Sequence, residues 1–101
     1  LSRRDLMIDG LSAIPGLKVN RPMGAFYLFP DVSALFGKSI GNRTIATAED
    51  FAMYLLEEAH VATVGGGAFG TPECIRLSYA ASETQLNEAL ARISKAVTAL
   101  Q

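Results

Sequence analysis

A chain of 101 residues suffices for one small domain with its own core and is too short for two. Half of it is hydrophobic, 19% is charged and the formal net charge is -1 at pH 7, an ordinary globular balance that implies neither a nucleic-acid partner nor an anionic membrane surface. The lone Cys74 argues against a disulfide framework and fits a reducing compartment, hence the expectation of a cytoplasmic protein. One cysteine and one histidine, His60, cannot build a standard zinc site. No apolar run approaches the length of a membrane span, and no signal-peptide pattern opens the chain. Leu1 already stands inside a helical pattern, which suggests a piece of a longer protein.

Along Leu1–Ile14, the residues Met7, Leu11 and Ile14 fall at helical spacing, and Pro15-Gly16 stops the helix. Leu17 and Val19 then alternate with Lys18 and Asn20. After the break at Arg21-Pro22-Met23-Gly24, Ala25–Phe29 predicts a compact aromatic strand ended by Pro30-Asp31. Five consecutive apolar residues predict a strand covered on both faces, with Phe26, Tyr27 and Phe29 packed in the core. Asp31–Ala46 reads as a polar loop with a short helical turn around Val32–Phe36, and Lys38 as a solvated loop lysine.

Thr47 and Asp50 form a capping-box-like helix start, followed by the apolar stripe Ala48, Phe51, Ala52, Leu55, Leu56 and Ala59, with Glu57 and Glu58 on the solvated side. His60 falls in the last turn, where a histidine suits the helix dipole. A second capping box, Ser82 with Gln85, opens the last helix. Its stripe is Leu86, Ala89, Leu90, Ile93, Val97 and Leu100, and Glu88 and Arg92 are spaced for an i,i+4 pair. The order helix–strand–strand–helix–strand–strand–helix predicts an α+β fold: a small, mostly antiparallel sheet with helices packed on it in two layers, all in one domain over residues 1–101.

The densest chemistry lies in Val61–Ala80. A β-rich run, Val61–Val64, enters the loop Gly65–Gly70, Pro72 punctuates it, and Ile75–Ala80 reads as a strand. Gly65, Gly67 and Gly70 spell the dinucleotide-binding G-x-G-x-x-G, yet Pro72 and a strand follow where that fingerprint requires a helix, so a nucleotide site is not expected. Alternation puts Ile75, Leu77 and Tyr79 on one face of the last strand and Arg76, Ser78 and Ala80 on the other. Arg76 is then a guanidinium on a rigid strand beside a glycine loop. That is a good fork for a carboxylate or phosphate, or else a plain charge on a solvated face.

The ordered pieces Arg3-Arg4-Asp5, Ile14-Pro15-Gly16, Pro22-x-Gly24-Ala25-Phe26-Tyr27-x-Phe29-Pro30, Val61-Ala62-x-Val64-x-Gly66-x-x-Phe69-Gly70 and Ile75-Arg76-Leu77-Ser78-Tyr79-Ala80-x-Ser82 resemble the carboxy-terminal small domain of a fold-type I, pyridoxal-phosphate-dependent aminotransferase. Within that family they resemble the aspartate aminotransferase branch. The resemblance covers essentially the whole chain. It implies that Arg76 binds the substrate α-carboxylate in a two-pronged ion pair and that Phe26 lies near the active site. It also implies a homodimeric enzyme exchanging an amino group between an amino acid and a 2-oxo acid through pyridoxal 5'-phosphate, with this domain packed on the large domain of its own chain. The family's cofactor-bearing lysine, its pyridine-nitrogen aspartate and its phosphate-binding groups lie upstream. Lys18, Lys38 and Lys95 match none of these, so no catalytic or cofactor-binding residue is expected here and the piece alone is expected to be inactive. Gly65 departs from the family's V-x-V-P-G and leaves that turn looser than proline would. Other same-fold enzymes (aromatic or alanine aminotransferases, decarboxylases, synthases) and a free-standing binding module stay open.

Overall fold

A computed structural model describes residues 3–19, 27–70, 72–78 and 82–101, with the backbone alone at 68 and 69. Among the described residues, three α-helices and five short strands follow in the order α1 (Arg3–Ser12), β1 (Tyr27–Leu28), β2 (Ser39–Ile40), β3 (Arg43–Thr44), α2 (Ala48–Tyr54), β4 (Val64–Gly65), β5 (Ile75–Ser78) and α3 (Glu83–Ala99). β5 is the central strand of an antiparallel sheet of order β1-β5-β4, and β2 and β3 form a separate antiparallel hairpin. This is the α+β arrangement expected.

The helices start where their side chains dictate. Thr47 Oγ1 accepts from the Asp50 N–H at 3.1 Å, and the Asp50 carboxylate accepts from the Thr47 N–H at 3.2 Å. Ser82 and Gln85 repeat that reciprocal box at α3. Each box satisfies donors that a helix start leaves orphaned. Met7 and Leu11 from α1, Phe51 and Leu55 from the second helix, Leu28, Ile75 and Leu77 from the sheet, and Ile93 and Val97 from α3 share one core. Gly10 lets α1 lie close on α3, because a Cβ there would stand 2.4 Å from Leu90 Cδ1.

Several expectations are corrected. The strand around Leu17–Val19 is a single bridge between Lys18 and Asp31, and of Val61–Val64 only Val64 enters a strand. The loop Asp31–Ala46 contains the expected turn, a 3-10 helix over Ser33–Leu35, but also the β2–β3 hairpin, which turns at Gly41-Asn42 with Gly41 at φ 59°. The second helix widens into a π-helical turn at Leu55–Ala59, which His60 closes in the left-handed region at φ 56°. Leu56 is half exposed instead of buried. Tyr54 takes the place in the core, where its hydroxyl donates to the Ala96 carbonyl at 2.8 Å and ties α2 to α3. Glu57 is not merely solvated, since it meets Arg43 Nη2 at 2.6 Å. Among the described residues no helix is long and apolar enough to cross a membrane.

Candidate carboxylate-binding site on the open sheet face

The register of β5 sets the site. Tyr27 pairs with Ser78, Leu28 with Leu77, Val64 with Arg76 and Gly65 with Ile75. Side chains alternate across a strand, so Leu28, Ile75 and Leu77 turn inward and are buried, while Tyr27, Val64, Arg76 and Ser78 share the outer face. Arg76 is half-buried and Ser78 exposed, as the alternation predicts; Tyr79 and Ala80, which continue it, lie outside the described residues.

That outer face corrects the view of β1 as covered on both sides. Tyr27 is 38% exposed and Val64 41% exposed, so Tyr27 does not pack in the core and Phe29 is only half-buried. The Tyr27 ring lies instead under the Arg76 guanidinium, with Cζ 4.6 Å from the ring centroid. In an antiparallel pair a residue two positions from the direct partner is the diagonal neighbour, within reach of an aromatic and a long side chain, and Tyr27 and Arg76 stand in that relation across β1 and β5. Phe26, the other expected site residue, lies outside the described residues.

The glycine loop flanks this face. After β4 it winds into one 3-10 turn, Gly66–Phe69, ended by Gly70 at φ 79°, and the chain passes Pro72 into β5. Among the described residues this turn leads into β5, whereas a dinucleotide fingerprint leads into an α-helix. The Gly66 N–H donates to the Cys74 carbonyl at 2.7 Å and the Gly67 N–H to Glu49 Oε2 at 3.2 Å. A Cβ on Gly65 would stand 2.4 Å from the same Oε2 atom. Gly65 has φ -61°, a value proline shares, so the room left by the missing proline ring is taken by the Glu49 carboxylate. Sequence reasoning missed Glu49; its one signal was an acidic residue in the first turn of a capped helix.

Two buried groups have displaced pKa values. Burial pushes the Cys74 thiol up, and the negative charges of Asp31 and Glu73 add to this. Burial also raises the Tyr54 phenol, with Glu58 reinforcing and Arg43 opposing the shift. Lys18, Lys38 and Lys95 are all exposed, and none belongs to β1, β4 or β5. A cavity of about 310 Å³ between the end of the second helix and α3 is lined by Tyr54, Glu58, His60, Arg92 and Lys95; neither Arg76 nor Tyr27 borders it. Among the described residues no three histidine, cysteine, aspartate or glutamate side chains converge on a metal position. Chemically the outer face carries a guanidinium over a tyrosine ring, and the planar N–H donors of a guanidinium match the geometry of a carboxylate.

Comparison with known proteins supplies the family. The family profile "Aminotransferase class I and II" matches residues 1–93. The aspartate aminotransferase of Rhizobium meliloti (strain 1021) is 50% identical over 95 residues, which are 93% of this chain and 23% of that protein. The bifunctional aspartate aminotransferase and glutamate/aspartate-prephenate aminotransferase of Petunia hybrida is 44% identical over 100 residues, 98% of this chain and 21% of that one. Among solved structures, the Rhizobium meliloti aspartate aminotransferase superposes with a TM-score of 0.93 at 49% identity, covering 98% of this chain and 25% of its own. The alanine aminotransferase from Pyrococcus furiosus gives 0.80 at 31% identity over 95% of this chain and 23% of its own. The chain thus spans about a quarter of the length of the proteins it matches, and it belongs to the class I and II aminotransferases.

Proposed function

We propose that this chain is the carboxy-terminal small domain of a pyridoxal-phosphate-dependent aminotransferase that moves an amino group between aspartate and 2-oxoglutarate, and that Arg76 binds the substrate α-carboxylate. The observation that carries the reading is Arg76 itself, half-buried on the outer face of the central strand and resting on Tyr27. The names of the relatives support the aspartate specificity. The same reading makes the whole enzyme a cytoplasmic homodimer with amino acids and 2-oxo acids as its small-molecule partners, and keeps Phe26 as a wall of the site.

The three lysines of this chain are exposed and match none of the family's cofactor-bearing stretches, so the cofactor is assigned to the rest of the enzyme. What this chain contributes is orientation. A guanidinium offers its N–H donors in one plane and meets a carboxylate with two parallel hydrogen bonds, which fixes the substrate's rotation as well as its position. The glycine loop beside it suits closure over bound substrate. A second reading, an aminotransferase for alanine or aromatic amino acids, draws on the alanine aminotransferase match; Arg76 would serve it equally, because every amino acid carries the same α-carboxylate.

The test is Arg76→Ala in the complete enzyme, assayed with aspartate and with an aromatic donor. Loss of one member of a desolvated charge pair costs roughly 2–5 kcal/mol, or roughly 30- to several-thousand-fold in kcat/KM for both donors. Arg76→Lys recovers only part, since a point ammonium cannot reproduce the planar fork. Activity within a few-fold of wild type for both donors would refute the assignment.

A further inference from the structure

We infer that Glu49 is a positioning residue for the proposed substrate site: its carboxylate latches the glycine loop to the start of α2 and so holds that loop beside β5. The inference rests on the reading of Arg76 given above. Val64 stands directly across from Arg76, and the loop turn Gly66–Phe69 begins two residues later, so the position of the loop sets one edge of the outer face. A loop so rich in glycine has many backbone conformations, and ordering them on binding opposes affinity. Glu49 supplies that order beforehand. It stands in the first turn of α2, whose start is fixed by the Thr47–Asp50 capping box, so its side chain leaves a rigid base. Its Oε2 accepts from the Gly67 N–H at 3.2 Å, a charge-assisted bond. The same side chain lies over Gly65, where the three heavy atoms nearest to an added Cβ would be Glu49 Oε2, Cδ and Cγ at 2.4, 2.6 and 2.6 Å. A Cβ on Gly67 would stand 2.8 Å from Oε2. Gly65 has φ -61°, open to any residue, so no left-handed turn explains its missing side chain; the room it leaves is what Glu49 occupies. The Gly66 N–H ties the loop to the chain entering β5 through the Cys74 carbonyl, and Glu49 adds the tie to the helix layer.

The experiment is steady-state kinetics of the complete enzyme with aspartate and 2-oxoglutarate for Glu49→Ala, Glu49→Gln, Gly65→Ala and the double variant Glu49→Ala/Gly65→Ala, with urea midpoints alongside. Glu49→Ala is expected to raise KM for both substrates about three- to tenfold and to hold kcat within about twofold, because a loop ordered before binding favours ground state and transition state alike. Glu49→Gln recovers most of that loss, since its amide oxygen accepts from the same Gly67 N–H. Gly65→Ala reproduces the KM of Glu49→Ala with Glu49 still present, because the new Cβ drives the carboxylate off the loop. In the double variant the two effects do not add, as expected of changes that break one contact. A carboxylate in the first turn of a helix also favours the helix dipole, and that role alone would lower the urea midpoint in Glu49→Ala and Glu49→Gln equally and leave KM untouched. The inference is overturned by that result, by a KM in Glu49→Gln as high as in Glu49→Ala, by an unchanged KM in Gly65→Ala, or by fully additive effects in the double variant. Failure of Arg76 as the clamp shows differently: Arg76→Ala alone would then keep its kcat/KM.

Discussion

The two faces of the β1-β5-β4 sheet are made from alternate residues of the same strands and have opposite chemistry. Leu28, Ile75 and Leu77 point into the core, with Leu28 wholly buried, and touch nothing a substrate could reach. Tyr27, Val64 and Arg76 point out, contribute little packing, and present a cation between apolar neighbours. A period of two thus lets a two- to four-residue strand hold the fold with one set of side chains and leave the other set for the substrate contact proposed above. On that outer face Tyr27 and Val64 stand exposed on the two sides of β5.

The largest effect that separates the faces is expected from Leu28→Ala. Removing a wholly buried leucine loses its transfer energy and leaves a cavity, about 2–5 kcal/mol together, measurable as a drop in the urea midpoint. Tyr27→Leu, one residue away, should leave that midpoint nearly unchanged. A smaller loss is expected from Tyr54→Phe, which removes the hydroxyl that donates to the Ala96 carbonyl across α2 and α3. About 1 kcal/mol is the usual scale for such a bond, and the loss should appear as faster amide exchange in α3.

The smallest effect comes with pH. Cys74 and Tyr54 are both acids whose folded pKa is raised by burial. The folded state therefore holds their protons more tightly than the unfolded state does. Their contribution to stability is fully present below the unfolded values, roughly 8.5 for a thiol and 10 for a phenol, and is lost as pH rises through the folded values. Urea midpoints should fall progressively above about pH 9. Cys74→Ser and Tyr54→Phe should each flatten part of that slope, and a slope unchanged in both would remove these groups as its cause. In the folded chain Cys74 should also react slowly with thiol reagents at neutral pH, since the thiolate is the reactive form and the residue is buried.

Much of this was legible in the residues. Both capping boxes, the Leu86–Leu100 stripe and the alternation at Ile75–Ser78 follow from local rules that tertiary structure did not override. The β2–β3 hairpin was not legible because Ser39, Ile40, Arg43 and Thr44 carry no alternating apolar signal, and only the Gly41-Asn42 pair hints at a turn. Leu56 was misplaced because the buried face of the second helix swings toward Tyr54, which the apolar stripe left out and whose hydroxyl donates to the Ala96 carbonyl. The same blindness hid Tyr27. Five apolar residues in a row look alike whether a strand is sandwiched or has one face open, and which applies depends on β5 and β4, which lie far along the chain. Glu49 was invisible for a similar reason, since its contact with Gly65 and Gly67 joins residues from different elements.

The central claim, that adjacent residues of β5 divide stability from binding, is tested most directly by measuring urea unfolding and kcat/KM together for Arg76→Ala and Leu77→Ala. Arg76→Ala should unfold within about 0.5 kcal/mol of wild type, as surface changes usually do, while losing roughly 30-fold or more in kcat/KM. Leu77→Ala should lose about 2–5 kcal/mol of stability and keep kcat/KM within a few-fold in the enzyme that remains folded. If Arg76→Ala instead lowers stability as much as Leu77→Ala while its folded fraction turns over normally, the outer face is structural and the account is wrong.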